Sequence, residues 1–427
     1  MNRPAARQTA TMTTVTRPAA PTPDPAAVMG DAAALLDEVV ALRRDLHRRP
    51  ELGLHLPRTQ ARVLEALDGL PLTVRTGDRL SSIVADLDGD RPGPTVLLRG
   101  DMDALPVTED TGLDYASEVP GAMHACGHDL HTAMLAGAAR LLAARRHEIA
   151  GRVRFLFQPG EEGQGGAALA IEEGALDATD GAEPVSWAFA VHQSPSFPSG
   201  MVATRPGAIM ASADEFHVML RGRGGHASMP HLANDPVPVA CEVVQAIQTW
   251  VTRRVDAFEP AVVTVGRIQA GTTTNVIPET ARLDGTVRAV APRTRDAALA
   301  ALRRIAEGVA AAHEMAAEVE VVEGYPVTVN DEAAAAEVVE VARALVGDAT
   351  LALPSPVMGA EDFSYVLEQV PGAMAFLGTR PPGVRARDVA PNHSNRMVVD
   401  ESAMATGVAL YALVALRRTA GEGTAAA

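Results

Sequence analysis

The sequence predicts an α/β protein, a mixed sheet with helices on both faces, into which a smaller α+β domain is inserted. Two observations carry this prediction. Short apolar strands alternate with helices towards both ends of the chain, which is typical of α/β sheets. Between them the pattern changes to β-α-β-β-α-β, the ferredoxin-like order. The expected parts are a disordered tail over 1–27, a discontinuous main domain over 28–207 and 325–420, and an inserted domain over 208–324.

The period of the apolar residues identifies each element in the first part of the chain. Leu35, Leu42 and Leu46 recur at helical spacing and predict a helix over 29–49, which Pro50 ends. Polar residues follow each strand directly, and open α/β sheets bind their ligands at the carboxyl ends of strands. The other elements expected here are strands over 95–98, 153–157 and 187–191, and a helix over 129–145.

The inserted part and the last part of the chain follow the same reasoning. Alternating residues predict four strands in the insertion, and two longer apolar periods predict helices between them. The expected strands are 215–220, 261–268, 281–290 and 317–323, and the helices are 236–254 and 294–312. The last part is expected to contain a helix over 331–346, a strand over 373–377 and a closing helix over 401–418.

Composition excludes several classes of partner. The net charge of −16 argues against nucleic acid or an anionic membrane surface, since both require a basic face. No run of about 18 apolar residues is present, so no membrane span is expected. The first residues lack the continuous apolar core of a secretory signal, and the expected location is therefore the cytoplasm.

The two cysteines lie far apart and do not indicate a disulfide framework. Cys241 falls in an apolar helical run, which predicts a buried small residue. Cys126 belongs instead to the run His-Ala-Cys-Gly-His-Asp-Leu-His over 124–131, at a turn that enters a helix. Cysteine and histidine are preferred zinc ligands, so Cys126 and His128 are predicted to bind metal. His124 remains open between a metal ligand and an ordinary polar residue, and His131 between a residue that supports a ligand and an ordinary polar residue.

Four further positions bear metal-binding groups at predicted strand ends or in loops. Glu161 and Glu162 form a Pro-Gly-Glu-Glu-Gly turn after an apolar strand, where one carboxylate can bind metal while its neighbour acts as a base. His192 follows a strand, and His393 lies in a loop near the chain end. Alone each histidine would be structural, but together with the other groups both become candidate ligands.

Two other motifs contain candidate functional residues. Asp101 and Asp103 follow a strand and are expected either to orient a ligand histidine or to be solvated. The stretch 222–227 fits G-x-G-x-x-A, but it lacks a βαβ context and does not support dinucleotide binding. A glycine-rich turn that presents His226 is the better interpretation. No G-x-S-x-G occurs, so a serine hydrolase is not supported.

From 35 to 416 the chain resembles the zinc aminoacylase-type metallopeptidases, in particular the amidohydrolase subfamily of hippurate hydrolases and auxin–amino acid conjugate hydrolases. Leu130 departs from the pattern, because the subfamily usually has glycine there. Besides His192 and His393, the matching motifs are RDLHRRPELG (44–53), RGDMDALP (99–106), HACGHDLH (124–131), FQPGEEGQGG (157–166), GGHAS (224–228), NVIP (275–278) and MGAEDFS (358–364).

The resemblance implies a function and a role for each matching residue. The reaction would be hydrolysis of the amide bond of N-acyl amino acids, with water activated by two divalent ions (zinc, manganese, cobalt or nickel) and Glu161 as general base. Cys126 would bridge the ions. The inserted domain would be a lid and dimerisation domain, whose His226 and Asn275 reach the substrate, with His226 crossing to a partner chain in a homodimer. The other implied ligands are His128, Glu162, His192 and His393.

Two rival functions remain open. A dipeptidase or carboxypeptidase on the same fold would share the metal site but not the substrate. A binding protein that kept the scaffold without activity would lack a ligand or the base, and none is missing from the sequence.

Overall fold

The computed structural model describes residues 23–179 and 181–420. Its helices are α1 (Pro25–Ala34), α2 (Leu36–Arg48), α3 (Pro57–Leu67), α4 (His128–Ala144), α5 (Gly166–Glu172), α6 (Pro236–Arg254), α7 (Pro292–Ala312), α8 (Glu332–Val346), α9 (Ser364–Leu367) and α10 (Met404–Thr419). Its strands are β1 (Thr73–Thr76), β2 (Ile83–Asp88), β3 (Arg91–Asp101), β4 (Ala150–Gln158), β5 (Val185–Pro198), β6 (Val202–Thr204), β7 (Gly207–Met210), β8 (Asp214–Arg221), β9 (Gly225–His226), β10 (Ala261–Ala270), β11 (Val276–Ile277), β12 (Thr280–Ala289), β13 (Ala316–Val322), β14 (Thr328–Asn330), β15 (Thr350–Ala352) and β16 (Gly372–Arg380).

The larger sheet has eight strands in the order β1-β2-β4-β3-β5-β16-β6-β15. Its centre is parallel, because β3 pairs in parallel with β4 and β5, and β5 with β16. Antiparallel pairs flank this centre, β1 with β2 and β2 with β4 on one side and β16 with β6 on the other. The sheet is therefore mixed, as predicted.

Apolar side chains cover both faces of this sheet. Along β3, Val96 and Leu98 point into one core and Leu97 into the other, as the two-residue period of a strand requires. The first core lies under α1–α4, α8 and α10, and the second contains residues of α5 and α9. Helices thus lie on both faces, which confirms the predicted fold class.

Helix α4 is buried around nearly its whole circumference, which is typical of a helix in the centre of a protein. Leu130, the residue that departs from the family pattern, is fully buried in the first core. Gly127 precedes the helix with φ 86°, a left-handed conformation that glycine adopts without strain. The helix therefore begins at His128, directly at the carboxyl edge of the sheet.

A second sheet contains the four strands β10-β12-β8-β13, all antiparallel to their neighbours. Helices α6 and α7 bury their apolar residues against one face of this sheet, for example Val243 and Leu302 against Phe216. In chain order the strands are arranged 2-3-1-4 within the β-α-β-β-α-β order expected from the sequence. The role of this unit as a lid stays a prediction at this point.

Several details differ from the sequence predictions. The helix expected over 29–49 is two helices, α1 and α2, that meet at Leu35. Helix α1 begins at Pro25 after the cap Asp24, so 25–27 are helical rather than part of a tail, and 1–22 lie outside the described residues. Among the described helices, none is long and apolar enough to cross a membrane.

The prediction that Cys241 is buried is wrong. Its side chain is exposed, because α6 buries the neighbouring residues Val239, Ala240 and Val243 and turns Cys241 to the outside. Cys241 follows the apolar residues 236–240 directly and precedes Glu242, so the local sequence does not show which side of the apolar face it lies on.

Candidate metal centre

The predicted ligands converge at the carboxyl edge of the larger sheet. His128 opens α4, and Glu161 and Glu162 lie in the turn that follows β4. His192 lies inside β5 opposite Phe376 of β16, rather than after the end of a strand as predicted. The strand is longer than its apolar core because the parallel pairing with β16 continues past His192.

Two groups of donor atoms share the Cys126 sulfur. Cys126, His128 and His192 form one group, and Cys126, Glu162 and His393 form the other; within each group the donor atoms lie within 4.8 Å of one another. The Cys126 Sγ lies 3.5 Å from His192 Nε2, and His393 Nε2 lies 3.4 Å from Glu162 Oε1. All five predicted metal ligands are therefore brought together, with the cysteine between two clusters.

The donor atoms fit divalent cations for a second reason. Both ring nitrogens of His128 and the Oε1 atom of Glu162 are buried and have no hydrogen bond of good geometry within the described part of the chain. Buried polar atoms are nearly always paired, because leaving one unpaired costs about 1–3 kcal/mol. A set of imidazole, thiolate and carboxylate donors suits zinc and related ions.

Burial and charge shift the protonation of these groups. Burial opposes ionisation of the Cys126 thiol, but the neighbouring rings of His192 and His128 outweigh it and hold the pKa of that thiol well below its usual value. Burial and the nearby carboxylates of Glu361 and Glu162 raise the pKa of Glu161 well above its usual value. These surroundings thus favour the thiolate form of Cys126 and strengthen the affinity of the Glu161 carboxylate for a proton.

Asp103 organises the turn that carries the two glutamates. Its Oδ1 and Oδ2 atoms accept hydrogen bonds from the backbone N–H groups of Glu161 and Glu162, both at 3.0 Å. The same carboxylate lies 3.4 Å from His128 Nδ1. Asp103 therefore connects the glutamate turn to the first histidine of the site.

Asp101 and His131 form a second support. His131 Nδ1 lies 2.6 Å from Asp101 Oδ1, and its Nε2 accepts a hydrogen bond of 2.7 Å from the backbone N–H of Gln193. Both ring nitrogens of His131 are occupied, which favours a supporting role over direct metal binding. His124 is buried, neither of its ring nitrogens has a hydrogen bond to a residue that the structure describes, and burial lowers its pKa to about 4.

His226 and Asn275 lie elsewhere. They meet on the short two-stranded antiparallel sheet of β9 and β11, where the backbone N–H of Ala227 donates to Asn275 O at 3.1 Å. Both side chains are exposed, and neither lines the cavity of the metal ligands. Within one chain they are therefore close to each other but outside the site.

A cavity of about 690 Å³ lies between the two sheets and contains the candidate metal ligands Cys126, Glu162, His192 and His393. Three residues that line it were not predicted as site residues, namely Gln193, Arg288 and Tyr325. The hydroxyl of Tyr325 donates a hydrogen bond to the backbone carbonyl of Glu161. Gln193 was detectable only by its position next to His192, and Arg288 by no local pattern.

Comparison with known proteins agrees with this geometry. Residues 97–417 match the family model of peptidase family M20/M25/M40. A thermostable carboxypeptidase of Saccharolobus solfataricus is 39% identical over 391 residues, 91% of this chain and 97% of that protein. An N-acetylcysteine deacetylase of Bacillus subtilis is 38% identical over 342 residues, 80% of this chain and 88% of that protein.

A solved structure extends the comparison to the fold. A dinuclear metal-binding peptidase of the M20 family from Bacillus subtilis superposes with a TM-score of 0.77 at 33% identity, covering 90% of this chain and 99% of that one. These matches confirm the family and the hydrolase class expected from the motifs. Sequence, fold and site together establish that the chain belongs to peptidase family M20/M25/M40.

Proposed function

We propose that the protein hydrolyses the amide bond of an N-acyl amino acid and releases a carboxylic acid and a free amino acid. The observation that carries the proposal is the Cys126 sulfur shared by two donor groups, beside the buried carboxylate of Glu161. The similarity to a bacterial N-acetylcysteine deacetylase supports the choice of substrate class.

Five residues would hold two divalent ions. His128 and His192 would bind one, Glu162 and His393 the other, and Cys126 would bridge them, a division that follows the two donor groups. When bound, such ions polarise an amide carbonyl and lower the pKa of water towards neutrality. Zinc, manganese, cobalt and nickel all suit this donor set.

Glu161 is suited to move the proton. Its side chain is almost fully buried, and Oε2 lies 3.8 Å from His128 Nε2, at the edge of the donor groups. Its carboxylate takes a proton from the attacking water and passes it to the leaving amine nitrogen, and the pKa raised by burial and neighbouring carboxylates strengthens it as a base. The backbone of this glutamate is bonded at both ends, because its carbonyl accepts from the Tyr325 hydroxyl and its N–H donates to the Asp103 carboxylate.

Arg288 is the proposed anchor for the carboxylate of the amino acid. It is half-buried near the end of β12 and lines the cavity, and its guanidinium has no hydrogen bond or ion pair to another described residue. A guanidinium presents a planar pair of donors that matches a carboxylate. A free amino-acid carboxylate is the part that an N-acyl amino acid offers to such a group.

The inserted unit over 208–324 is the proposed lid and dimerisation domain. His226 and Asn275 are exposed on its two-stranded β9–β11 sheet, outside the cavity of their own chain. We therefore infer a homodimer in which this β9–β11 sheet of one chain reaches the active site of its partner, where His226 stabilises the negative oxygen that forms during hydrolysis. The cytoplasmic location expected from the sequence stays a prediction.

A substrate panel tests the proposal. Protein treated with a chelator is supplied with zinc, manganese, cobalt or nickel. Release of free amino acid is then measured from acetyl, benzoyl and indole-acetyl amino acids. Dipeptides and peptide substrates of carboxypeptidases are tested in parallel. Metal-restored hydrolysis of the acyl amino acids is the expected result. Activity confined to peptides would favour a carboxypeptidase or dipeptidase instead, a possibility that the similarity to a thermostable carboxypeptidase keeps open.

A further inference from the structure

Gln193 follows His192 on β5 and is fully buried. Its side-chain Nε2 donates to the backbone carbonyl of Cys126 at 2.6 Å, and its Oε1 accepts from the Thr379 hydroxyl at 2.7 Å. Its backbone is occupied too, because the N–H donates to His131 Nε2 at 2.7 Å and the carbonyl lies 2.6 Å from His192 Nδ1. One glutamine thus contacts three residues of the metal site and the neighbouring strand.

These contacts determine the orientation of the groups. The Cys126 carbonyl can only accept, so the amide nitrogen of Gln193 must face it and the amide oxygen must face Thr379. By the same reasoning the carbonyl of Gln193 requires a proton on His192 Nδ1. The free electron pair of His192 then lies on Nε2, the atom 3.5 Å from the Cys126 sulfur.

The same side chain packs against the turn that presents the cysteine. A Cβ atom at Gly127 would lie 2.6 Å from both Cγ and Nε2 of Gln193, closer than packed atoms approach. Gly127 therefore adopts the left-handed φ of 86° without strain, and its lack of a side chain leaves room for the glutamine. The Cys126–Gly127 turn is fixed by a hydrogen bond on one side and by packing on the other.

We propose that Gln193 is a positioning residue, which clamps the Cys126–Gly127 turn to the strand of His192 and so sets the spacing of the Cys126 sulfur and His192 Nε2 for a metal ion. The proposal rests on the metal site of the proposed function. Asn392 is the weaker second donor to the Cys126 carbonyl, at 3.3 Å and from a half-buried loop. It does not replace Gln193, because its side-chain hydrogen bonds within the described residues go to Cys126, to the carbonyl and to the sulfur at 3.6 Å, and so do not connect the turn to β5.

Cobalt binding to the metal-free protein tests this role without using a substrate. Gln193→Met keeps the size of the side chain and removes the donor, and Gln193→Glu keeps the shape but places an oxygen against the Cys126 carbonyl. We expect both variants to bind Co²⁺ about 10–100-fold more weakly, the usual effect of losing a partner that orients a ligand. The thiolate-to-cobalt absorption should weaken as well, because the sulfur is displaced.

Gln248→Met is the matched control. Gln248 also donates to a backbone carbonyl, that of Val263 at 2.9 Å, but in the four-stranded unit. The Gln248→Met variant should bind cobalt with the same affinity as the wild type. Thr379→Val leaves the donor in place and removes the group that holds the amide oxygen, so its affinity should fall between those of the wild type and Gln193→Met.

The outcomes are distinct. Wild-type cobalt affinity and absorption in folded Gln193→Met and Gln193→Glu would overturn the proposal. If those two variants do not fold, Thr379→Val decides, since unchanged cobalt binding there would overturn it as well. A wild-type protein that binds cobalt but cleaves no acyl amino acid would refute the proposed substrate class and leave the role of Gln193 intact.

Discussion

The guanidinium of Arg43 forms a buried ion pair with the carboxylate of Asp129, with 2.7 Å between Nε and Oδ2. His47 lies on the same side, its Nδ1 2.8 Å from the same oxygen. The pair joins α2 to the first turn of α4, where His128 begins the helix. Arg43 and His47 of α2 therefore fix the position of the first turn of α4, which begins with His128.

Loss of this pair should destabilise the fold. Arg43→Met leaves the Asp129 charge buried without its guanidinium, and removing one partner of a buried pair typically costs about 3–5 kcal/mol. Urea denaturation of the metal-free protein, followed by circular dichroism, measures the loss. Arg49→Met, directly after the same helix, removes an exposed pair with Asp45 and should cost less than about 1 kcal/mol. Equal losses of unfolding free energy in the two variants would show that the buried Arg43–Asp129 pair stabilises the fold no more than an exposed pair does.

Asp103 should control metal affinity rather than chemistry. Asp103→Asn replaces one acceptor by a donor, so the backbone N–H of Glu161 or Glu162 loses its partner and the turn shifts. We expect metal affinity to fall about 10–100-fold, measured by competition with a chromophoric chelator. Asp331→Asn is the control, because Asp331 also accepts a backbone N–H, at the start of α8. Wild-type metal affinity in Asp103→Asn would show that Asp103 does not hold the glutamate turn in position for metal binding.

Glu161→Gln should keep the metals and lose turnover. Neither donor group that contains Cys126 includes Glu161, so the ions stay, but the amide cannot carry the proton. The expected fall in kcat is about 10²–10⁴-fold, the usual contribution of a general base. Glu162→Gln should instead lose metal, and elemental analysis separates the two variants. Near-normal turnover of Glu161→Gln would exclude it as the base.

Arg288→Met tests the carboxylate anchor. A hydrogen bond to a charged group contributes about 1.5–3 kcal/mol, so kcat/KM for an N-acyl amino acid should fall about 10–100-fold. The corresponding N-acyl amino acid amide, which has no carboxylate, should be hydrolysed equally by variant and wild type. Arg282→Met is the control on the same strand, since Arg282 pairs with Asp284 and does not line the cavity. Equal losses on both substrates would refute the anchor.

Mixing two inactive variants tests the role of His226 in the dimer. His226→Ala and Glu161→Gln chains are each expected to form inactive dimers. After dissociation and reassociation, a mixed dimer has one site with an intact Glu161 and a partner that supplies His226. Random pairing makes half of the dimers mixed, so about a quarter of the wild-type activity should return. No recovery, despite mixed dimers seen by mass spectrometry, would place His226 outside the partner's site.

The sequence by itself determined most of the longer elements and the chemistry of the ligands. Apolar periods identify helices and strands because each element must turn one face to a core, and this information is local. The Cys126–His128 run and the Glu161–Glu162 turn likewise combine donor type with a turn in a few consecutive residues. The predicted fold class and the grouping of five ligands at one sheet edge follow from these local patterns.

Only the tertiary structure decided which side chains hold the ligands and where the cavity lies. Gln193 meets Cys126 across 67 positions of the chain, and Arg288 enters the cavity from the other sheet. The exposure of Cys241 and the position of His192 inside a strand also depend on neighbours distant in sequence. Hydrogen bonds and packing act between atoms that the fold brings within a few ångströms, so no local pattern of residues can specify them.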